Sequence, residues 1–429
     1  MENKKPILFD VYPNLEGKVP WVSLLTATPS KVERLKELEK YLNLNGGEIY
    51  IKRDDKIHQT YGGNKPRKYE FIFGEALRRK KKGMITIGGI GTNHGIACAI
   101  ITKQLGLKCE LFLSLQPLTW HVQRSLLLYD YFGAKLHFTK NFYLGVLKSL
   151  LFRFFHPKFY LMFIGGSPFL GIGTPLGSIG FINAMFELKK QIDDGLLPEP
   201  DCIFVAAGSS GTSAGLTAGC KILGLKTKVH AVNVSEDVIV NPKAIASIAN
   251  KSIKYLRKRD VSIENAVVTE KYFELINGYV GSEYGVKTVK GQNAVDLLYS
   301  LEGKKSDFKL ETTYTGKAMA AMLDFLEKEE NKAKTILFWN TYNSNDLDEY
   351  LKETEFKYQN LPKNFHKYYT SKCFQCWQIT ECPEEIRTNC KAYLNHEYRF
   401  WKVSDCQLEE SKKERAIEHL KKVINLEDV

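Results

Sequence analysis

Three short stretches of the 429-residue chain combine residue types and spacings that could do chemistry. The first is Tyr61-Gly62-Gly63-Asn64-Lys65-Pro66-Arg67-Lys68. Two glycines let a backbone pass close to a ligand, and Pro66 suits the first turn of a helix. A lysine at such a junction could form a Schiff base with a carbonyl cofactor; a solvated lysine in a basic stretch fits the same pattern. The second, Gly88-Gly89-Ile90-Gly91-Thr92-Asn93-His94-Gly95, lies between an apolar run and a helical pattern. Amides at a helix N-terminus suit a carboxylate, although Thr92 or Asn93 could equally be only the helix cap. The third is Gly208-Ser209-Ser210-Gly211-Thr212-Ser213-Ala214-Gly215. It follows an apolar run and opens a helix, the context a phosphate cradle needs. It lacks the G-K-[ST] ending of a nucleotide loop and the Rossmann glycine spacing. A hydroxyl-rich loop without lysine suits one phosphomonoester better than a triphosphate.

The elements that must position these stretches are legible as alternating patterns. Short apolar runs at Glu48–Ile51, Met84–Ile87, Cys109–Leu115, Lys135–Phe138, Cys202–Ala206, Val229–Val234 and Thr335–Trp339 read as strands. Helix-length patterns at Pro66–Lys81, His94–Leu105 and Pro175–Gln191 lie between them. Strand, glycine turn, helix, strand is the signature of an α/β fold with parallel sheets. No internal repeat or low-complexity linker interrupts it. The pattern stops near Leu351, which places a boundary near residue 355.

Composition bounds the function. Hydrophobic residues make up 44% and charged residues 26%, ordinary for a globular chain and against disorder or a simple membrane protein. The N-terminus carries no apolar core behind its lysines, so no secretory signal is expected and the reading is cytoplasmic. The most membrane-like stretch, Leu144 to Ile164, contains Lys148, Arg153, His156, Pro157 and Lys158, so stable insertion is not expected. Phe142 to Tyr160 is both basic and aromatic. It reads most simply as a helix covering a small domain, with membrane-surface contact as the alternative. The net charge of +12 is scattered in short runs with no nucleic-acid motif, so solvated helix faces explain it better than nucleic-acid binding.

Taken in order, the three stretches resemble the fold-type II pyridoxal-phosphate (PLP) enzymes, specifically the family of D-cysteine desulfhydrase and 1-aminocyclopropane-1-carboxylate (ACC) deaminase. The resemblance runs from about Thr28-Pro29 to Thr341. Ile51-Lys52-Arg53-Asp54-Asp55, Leu126-Leu127-Leu128 with Gly133-Ala134, Gly165-Gly166-Ser167, Leu176-Gly177-Ser178-Ile179-Gly180-Phe181, Glu283-Tyr284-Gly285-Val286 and Tyr314-Thr315-Gly316-Lys317-Ala318-Met319 add to it. It implies a tryptophan-synthase-β-like α/β fold of two domains with parallel-rich sheets covered by helices. The large domain would comprise 1–67 and 176–354, the small domain 68–175, and a Cys-rich module 355–429. The resemblance makes Lys65 the lysine that carries the cofactor. It gives Lys68, Gly208, Ser209, Ser210, Gly211 and Thr212 to the phosphate and Asn93 to the pyridoxal 3′-oxygen. Thr92 and the amides after it would grip the substrate carboxylate. Tyr284 and Tyr314 would face the substrate, unless they are only core tyrosines. Thr315 stands where ACC deaminases have Glu beside the pyridine nitrogen, and Thr341 likewise matches the desulfhydrase type. A neutral hydroxyl there makes a shallower electron sink, adequate for expelling a good β-leaving group such as sulfide. The implied activity is β-elimination from a small amino acid, D-cysteine first, with the Lys65 amine removing the Cα proton. ACC deamination is one alternative and a non-catalytic PLP- or amino-acid-binding redox sensor another. A homodimer is what the resemblance implies.

Three departures stand out. Thr92 replaces the usual Ser, and its methyl group is expected to crowd the site. Arg124-Ser125 replaces a common Gly-Asn. Tyr342-Asn343-Ser344-Asn345 stands where a glycine pair is usual.

Nine cysteines include five after residue 370. Cys373-x2-Cys376-Trp377-x4-Cys382-x7-Cys390 resembles a small Cys-Trp module appended to some bacterial signalling and redox proteins, with Phe400-Trp401 in place of the second Cys-Trp. Cys373, Cys376, Cys382 and Cys390 could hold Zn²⁺ or an iron–sulfur cluster, with Cys406 a further candidate. Redox-active thiols and packed small hydrophobes are the alternatives. Gln407 to Ile424 reads as a polar helix.

Overall fold

The computed structural model describes residues 5–116, 120–168, 173–281, 284–303, 307–352 and 358–369. Its strands are β1 (Val32–Arg34), β2 (Glu48–Lys52), β3 (Gly83–Gly89), β4 (Lys108–Ser114), β5 (Ala134–Thr139), β6 (Phe159–Met162), β7 (Cys202–Ala207), β8 (Lys228–Asn233), β9 (Phe273–Ile276) and β10 (Thr335–Trp339). They form two sheets, in the orders β1-β2-β10-β7-β8-β9 and β5-β4-β3-β6. In the first, only the β1–β2 pair is antiparallel; β2, β10, β7, β8 and β9 run parallel. In the second, β3, β4 and β5 are parallel.

The central strands form because their side chains are apolar on both faces. All six residues of β7, Cys-Ile-Phe-Val-Ala-Ala, are buried, as a parallel strand covered above and below by helices requires. Phe338 of β10 sits opposite Ile51 on one side and Phe204 on the other. These join Ile49, Val232 and Ile336, and Met319 and Met322 from the Thr315–Leu326 helix, in one core. This core holds the C-terminal ends of β7 and β10 in place, where the glycine–serine loop and Thr341 follow.

The chain divides into two compact units. One comprises the described residues up to Lys80 together with Met162–Asn345; the other comprises Lys81–Leu161 and the described residues from Asp346 onward. The sequence expectation placed these divisions at 67/68 and 175/176. The structure moves the first one past the whole Asn64–Arg78 helix, because that helix packs against the Leu176–Asp193 helix almost backbone to backbone. A Cβ added at Gly180 would lie 2.1 Å from the Arg67 carbonyl oxygen. The Glu70 carboxylate also accepts the Leu24 amide at 3.0 Å. The second division moves earlier because Lys68 Nζ donates to the Gly165 carbonyl at 3.0 Å.

The described residues after Asn345 fall in the second unit, whereas the expected large domain ran to 354. The Tyr369 hydroxyl donates to the Gln123 carbonyl at 2.7 Å, the Gln123 side chain donates to the Tyr368 carbonyl at 2.7 Å, and Arg124 pairs with Asp348. The unusual Arg124 therefore has a structural partner. Among the described residues, no helix is long and apolar enough to cross a membrane.

Candidate active site

The first unit assembles a pocket of polar groups around the start of the Asn64–Arg78 helix. Gly63 has φ +84°, in the left-handed region that side chains disfavour. It turns the chain so that the Asn64 amide donates to the Thr341 carbonyl at 3.1 Å, tying the helix start to the end of β10. Asn64 then bridges two functional elements. Its Oδ1 accepts from Lys65 Nζ at 2.7 Å, and its Nδ2 donates to Thr212 Oγ1 at 3.2 Å.

Lys68 lies three residues after Lys65 and therefore on the same helical face. It is 1% exposed. Its ammonium donates to the Gly165 carbonyl at 3.0 Å and to Ser167 Oγ at 3.3 Å, both neutral oxygens. Ser167 Oγ lies 3.2 Å from Ser209 Oγ. The space beside these groups exists because two side chains are missing. A Cβ at Gly211 would lie 2.0 Å from Ser167 Oγ and 3.1 Å from Lys68 Nζ; one at Gly165 would lie 2.5 Å from Ser209 Oγ. The Gly211–Ile222 helix begins beside these groups, and amides at a helix start suit an anion. The Ser210 hydroxyl is otherwise engaged, donating to the Ile239 carbonyl at 3.1 Å. Burial, reinforced by nearby Lys65, holds the Lys68 ammonium well below its ordinary pKa. An ammonium buried among neutral oxygens is unfavourable until an anion joins it. The cradle fits a phosphomonoester.

Tyr314 closes the loop side of this space: a Cβ at Gly208 would lie 3.0 Å from its ring. Its hydroxyl is hydrogen-bonded to that of Tyr284. Burial raises both phenol pKa values, that of Tyr314 strongly, and the Glu311 carboxylate raises them further. Glu311 was not among the residues singled out from the sequence. Its carboxylate accepts the amides of Thr313 at 2.7 Å, Tyr314 at 2.8 Å and Thr315 at 2.9 Å, at the start of the Thr315–Leu326 helix. Thr315 Oγ1 returns the contact by accepting the Glu311 amide at 2.9 Å. An acidic residue just ahead of a helical pattern is a helix-start signal, and here it also sets the local charge. Burial pushes the Lys65 amine down to about 8, against an opposing pull from Glu311.

A family model described as "Pyridoxal-phosphate dependent enzyme" matches residues 24–341. The chain belongs to this family. D-cysteine desulfhydrase of Salmonella newport is 33% identical over 332 residues, covering 74% of this chain and 92% of that protein. The Salmonella typhimurium D-cysteine desulfhydrase is 33% identical over 328 residues, covering 73% and 91%. Among solved structures, an ACC deaminase homologue matches with TM-score 0.62 and 27% identity over 79% of this chain and 95% of its own. Threonine deaminase isoform 2 from Solanum lycopersicum shares the fold, with TM-score 0.53 and 17% identity over 82% and 88%. The expected fold-type II architecture is therefore present.

As a pyridoxal-phosphate-dependent enzyme, the chain brings together Lys65, Lys68, the Gly208–Thr212 loop, Tyr284, Tyr314, Thr315 and Thr341 within its first unit. Thr92 and Asn93 belong to the second, at the start of the Asn93–Gln104 helix. The Thr92 methyl faces glycines: a Cβ at Gly88 would lie 2.6 Å from it and one at Gly95 2.9 Å. The crowding expected of this methyl is thus relieved by two neighbours without side chains. The segment after Thr341 works as a brace. Asn343 Oδ1 accepts the Gly62 amide at 2.7 Å, Asn345 Nδ2 donates to the His58 carbonyl at 2.8 Å, and the Ser344 amide donates to the Asp55 carbonyl at 3.0 Å. Polar residues in place of a glycine pair therefore pin the loop that delivers Lys65.

The proposed metal ligands Cys373, Cys376, Cys382 and Cys390 lie outside the described residues. Among the described residues, no group of His, Cys, Asp and Glu is placed to hold a metal. Cys98, Cys109, Cys202 and Cys220 are buried free thiols.

Proposed function

We propose that the protein eliminates the β-substituent of a small amino acid, with D-cysteine as the first candidate, yielding pyruvate, ammonia and sulfide after water is taken up. The carrying observation is the pairing on one helical face of a half-buried lysine with a lowered pKa and a buried ammonium that, among the described residues, has no anionic partner. Lys68, Ser167, Ser209 and the amides of the Gly208–Thr212 loop would bind the phosphate. When bound, pyridoxal phosphate withdraws electrons from the substrate Cα and so loosens its proton.

The uncharged Lys65 amine would take that proton. Tyr284 and Tyr314, held protonated by burial, would present a shared proton to the departing sulfur. Thr315 and Thr341 would face the pyridine nitrogen as neutral hydroxyls. For Thr92 with the carboxylate, and Asn93 with the 3′-oxygen, the reading rests on the motif. A homodimer in the cytoplasm belongs to this proposal; the four free buried thiols suit a reducing compartment.

Lys65→Ala should abolish the borohydride-reducible cofactor absorbance and lower turnover by at least about 10³-fold. Retention of both would sink the assignment. The ACC deaminase homologue among the solved structures favours a second reading. Release of ammonia from ACC, with no sulfide from D-cysteine, would select it.

A further inference from the structure

The Phe142–Phe155 helix is turned inside out. Its buried positions are the small Gly145 and Ser149. Its large apolar residues face outward: Tyr143 is 77% exposed, Phe154 76% and Phe155 71%, with Leu147, Leu150 and Leu151 also exposed. At 3.6 residues per turn these six fall within an arc of about 140°. Lys148 borders one edge of that arc and Arg153 the other. Phe152 accounts for the inward packing, with its ring against Phe112, His137 and Phe159. The outward apolar side chains therefore do not complete the core of their own unit. They form a contiguous patch of a kind that marks an interaction site.

Charge identifies the partner. Residues 131–186 contain no Asp or Glu but carry Lys135, Lys140, Lys148, Arg153 and Lys158. An aromatic and leucine face with basic rims and no carboxylate is the pattern of a helix that lies in a bilayer interface, its rings among the acyl chains and its cations at anionic headgroups. The helix has 14 residues, so it would lie along the surface and not span it. A second copy of this chain would bring the same basic rims into opposition with no acidic side chain on the helix to pair them. We infer that the Phe142–Phe155 helix docks the enzyme peripherally on a membrane surface rich in anionic lipid.

The test is co-sedimentation of the full-length, cofactor-loaded protein with mixed phosphatidylglycerol–phosphatidylcholine vesicles and with phosphatidylcholine vesicles alone. Wild type should bind the anionic vesicles, release at high salt, and bind the neutral ones much more weakly. The variant Leu151→Ser/Phe154→Ser/Phe155→Ser should lose at least about tenfold in vesicle affinity. Its melting temperature and cofactor absorbance should stay unchanged, since the altered side chains point outward. Lys148→Glu/Arg153→Glu should remove the preference for anionic lipid. The inference is overturned if wild type fails to bind anionic vesicles, or if the serine variant binds them as well as wild type does. A serine variant that changes the mass in solution, with no vesicle binding by wild type, would make the face a contact between copies instead.

Discussion

Arg67 and Lys68 are neighbours on one helix, both buried and both cationic, yet the protein treats them in opposite ways. The Arg67 guanidinium donates to Asp54 at 2.7 and 2.8 Å and to Glu187 at 2.9 and 3.1 Å. Lys52 joins them at 2.6 Å from Glu187, and Trp339 Nε1 donates to Asp54 at 2.6 Å. Two cations meet two carboxylates, and the cluster is neutral without help. Lys68, one residue on, meets only a carbonyl and a hydroxyl among the described residues. A charge that serves the fold is neutralised by the fold, because an unpaired buried ion is strongly unfavourable. A charge left unneutralised at a cradle shaped by two glycines is held for a ligand.

The contrast breaks most visibly at the neutral cluster. Glu187→Ala strands Lys52 and Arg67 beside a single remaining carboxylate, and should lower unfolding free energy by about 3–5 kcal/mol in urea titrations. The same group should dominate the acid limb. Burial alone would raise the Glu187 pKa, but Arg67 and Lys52 hold it down to about 2. A carboxyl whose pKa is lower when folded than when unfolded contributes stability above its unfolded pKa. That contribution disappears as pH falls toward 2. Wild type should therefore lose stability steadily below about pH 4.5, and Glu187→Gln should flatten that slope.

Lys68→Met sharpens the other side. It removes a buried charge with no ionic partner, so the cofactor-free protein should melt no lower than wild type. Pyridoxal-phosphate affinity should nevertheless fall by about thirtyfold, the loss of roughly 2 kcal/mol of charge-assisted hydrogen bonding. If Lys68→Met destabilised the cofactor-free protein as much as Glu187→Ala does, the two cations would have the same role and the distinction would fail.

What the sequence made legible follows the same line between self-sufficient and ligand-directed structure. The seven strands read as apolar runs all formed, within one or two residues, because parallel strands buried on both faces admit few polar residues. β1, β6 and β9 were not read: they are three or four residues long, and none is buried throughout. The three loops were legible because glycines and hydroxyls cluster where backbone must approach a ligand. Glu311 was not, because a lone acid before a helix looks like an ordinary cap until three amides are seen on its carboxylate and its charge is seen to act on the Lys65 amine. The compact units divide the chain elsewhere than the expected domains, for a packing reason. Only the fit of Gly180 against the Arg67 carbonyl shows that the lysine helix belongs with the large unit. The outward leucines of the Phe142–Phe155 helix could not be oriented from periodicity alone, since its inward face is marked by small residues instead of large ones.

Lys65 stands between the two cases, and pH separates its influences. Burial lowers its amine to about 8, while the Glu311 carboxylate, by favouring the ammonium, keeps it from falling further. Only the uncharged amine can attack the aldehyde of the cofactor. Capture of pyridoxal phosphate by the cofactor-free protein, followed by its absorbance, should therefore accelerate about tenfold between pH 7 and 9, with its midpoint near pH 8. Glu311→Gln keeps a carbonyl oxygen for the amides at the helix start but removes the negative charge. Its midpoint should move to lower pH, since nothing then offsets burial. A midpoint that stayed in place would mean that Glu311 serves only the helix, as the carboxylates around Arg67 serve the fold. A midpoint that moved upward would show that some other charge governs the lysine.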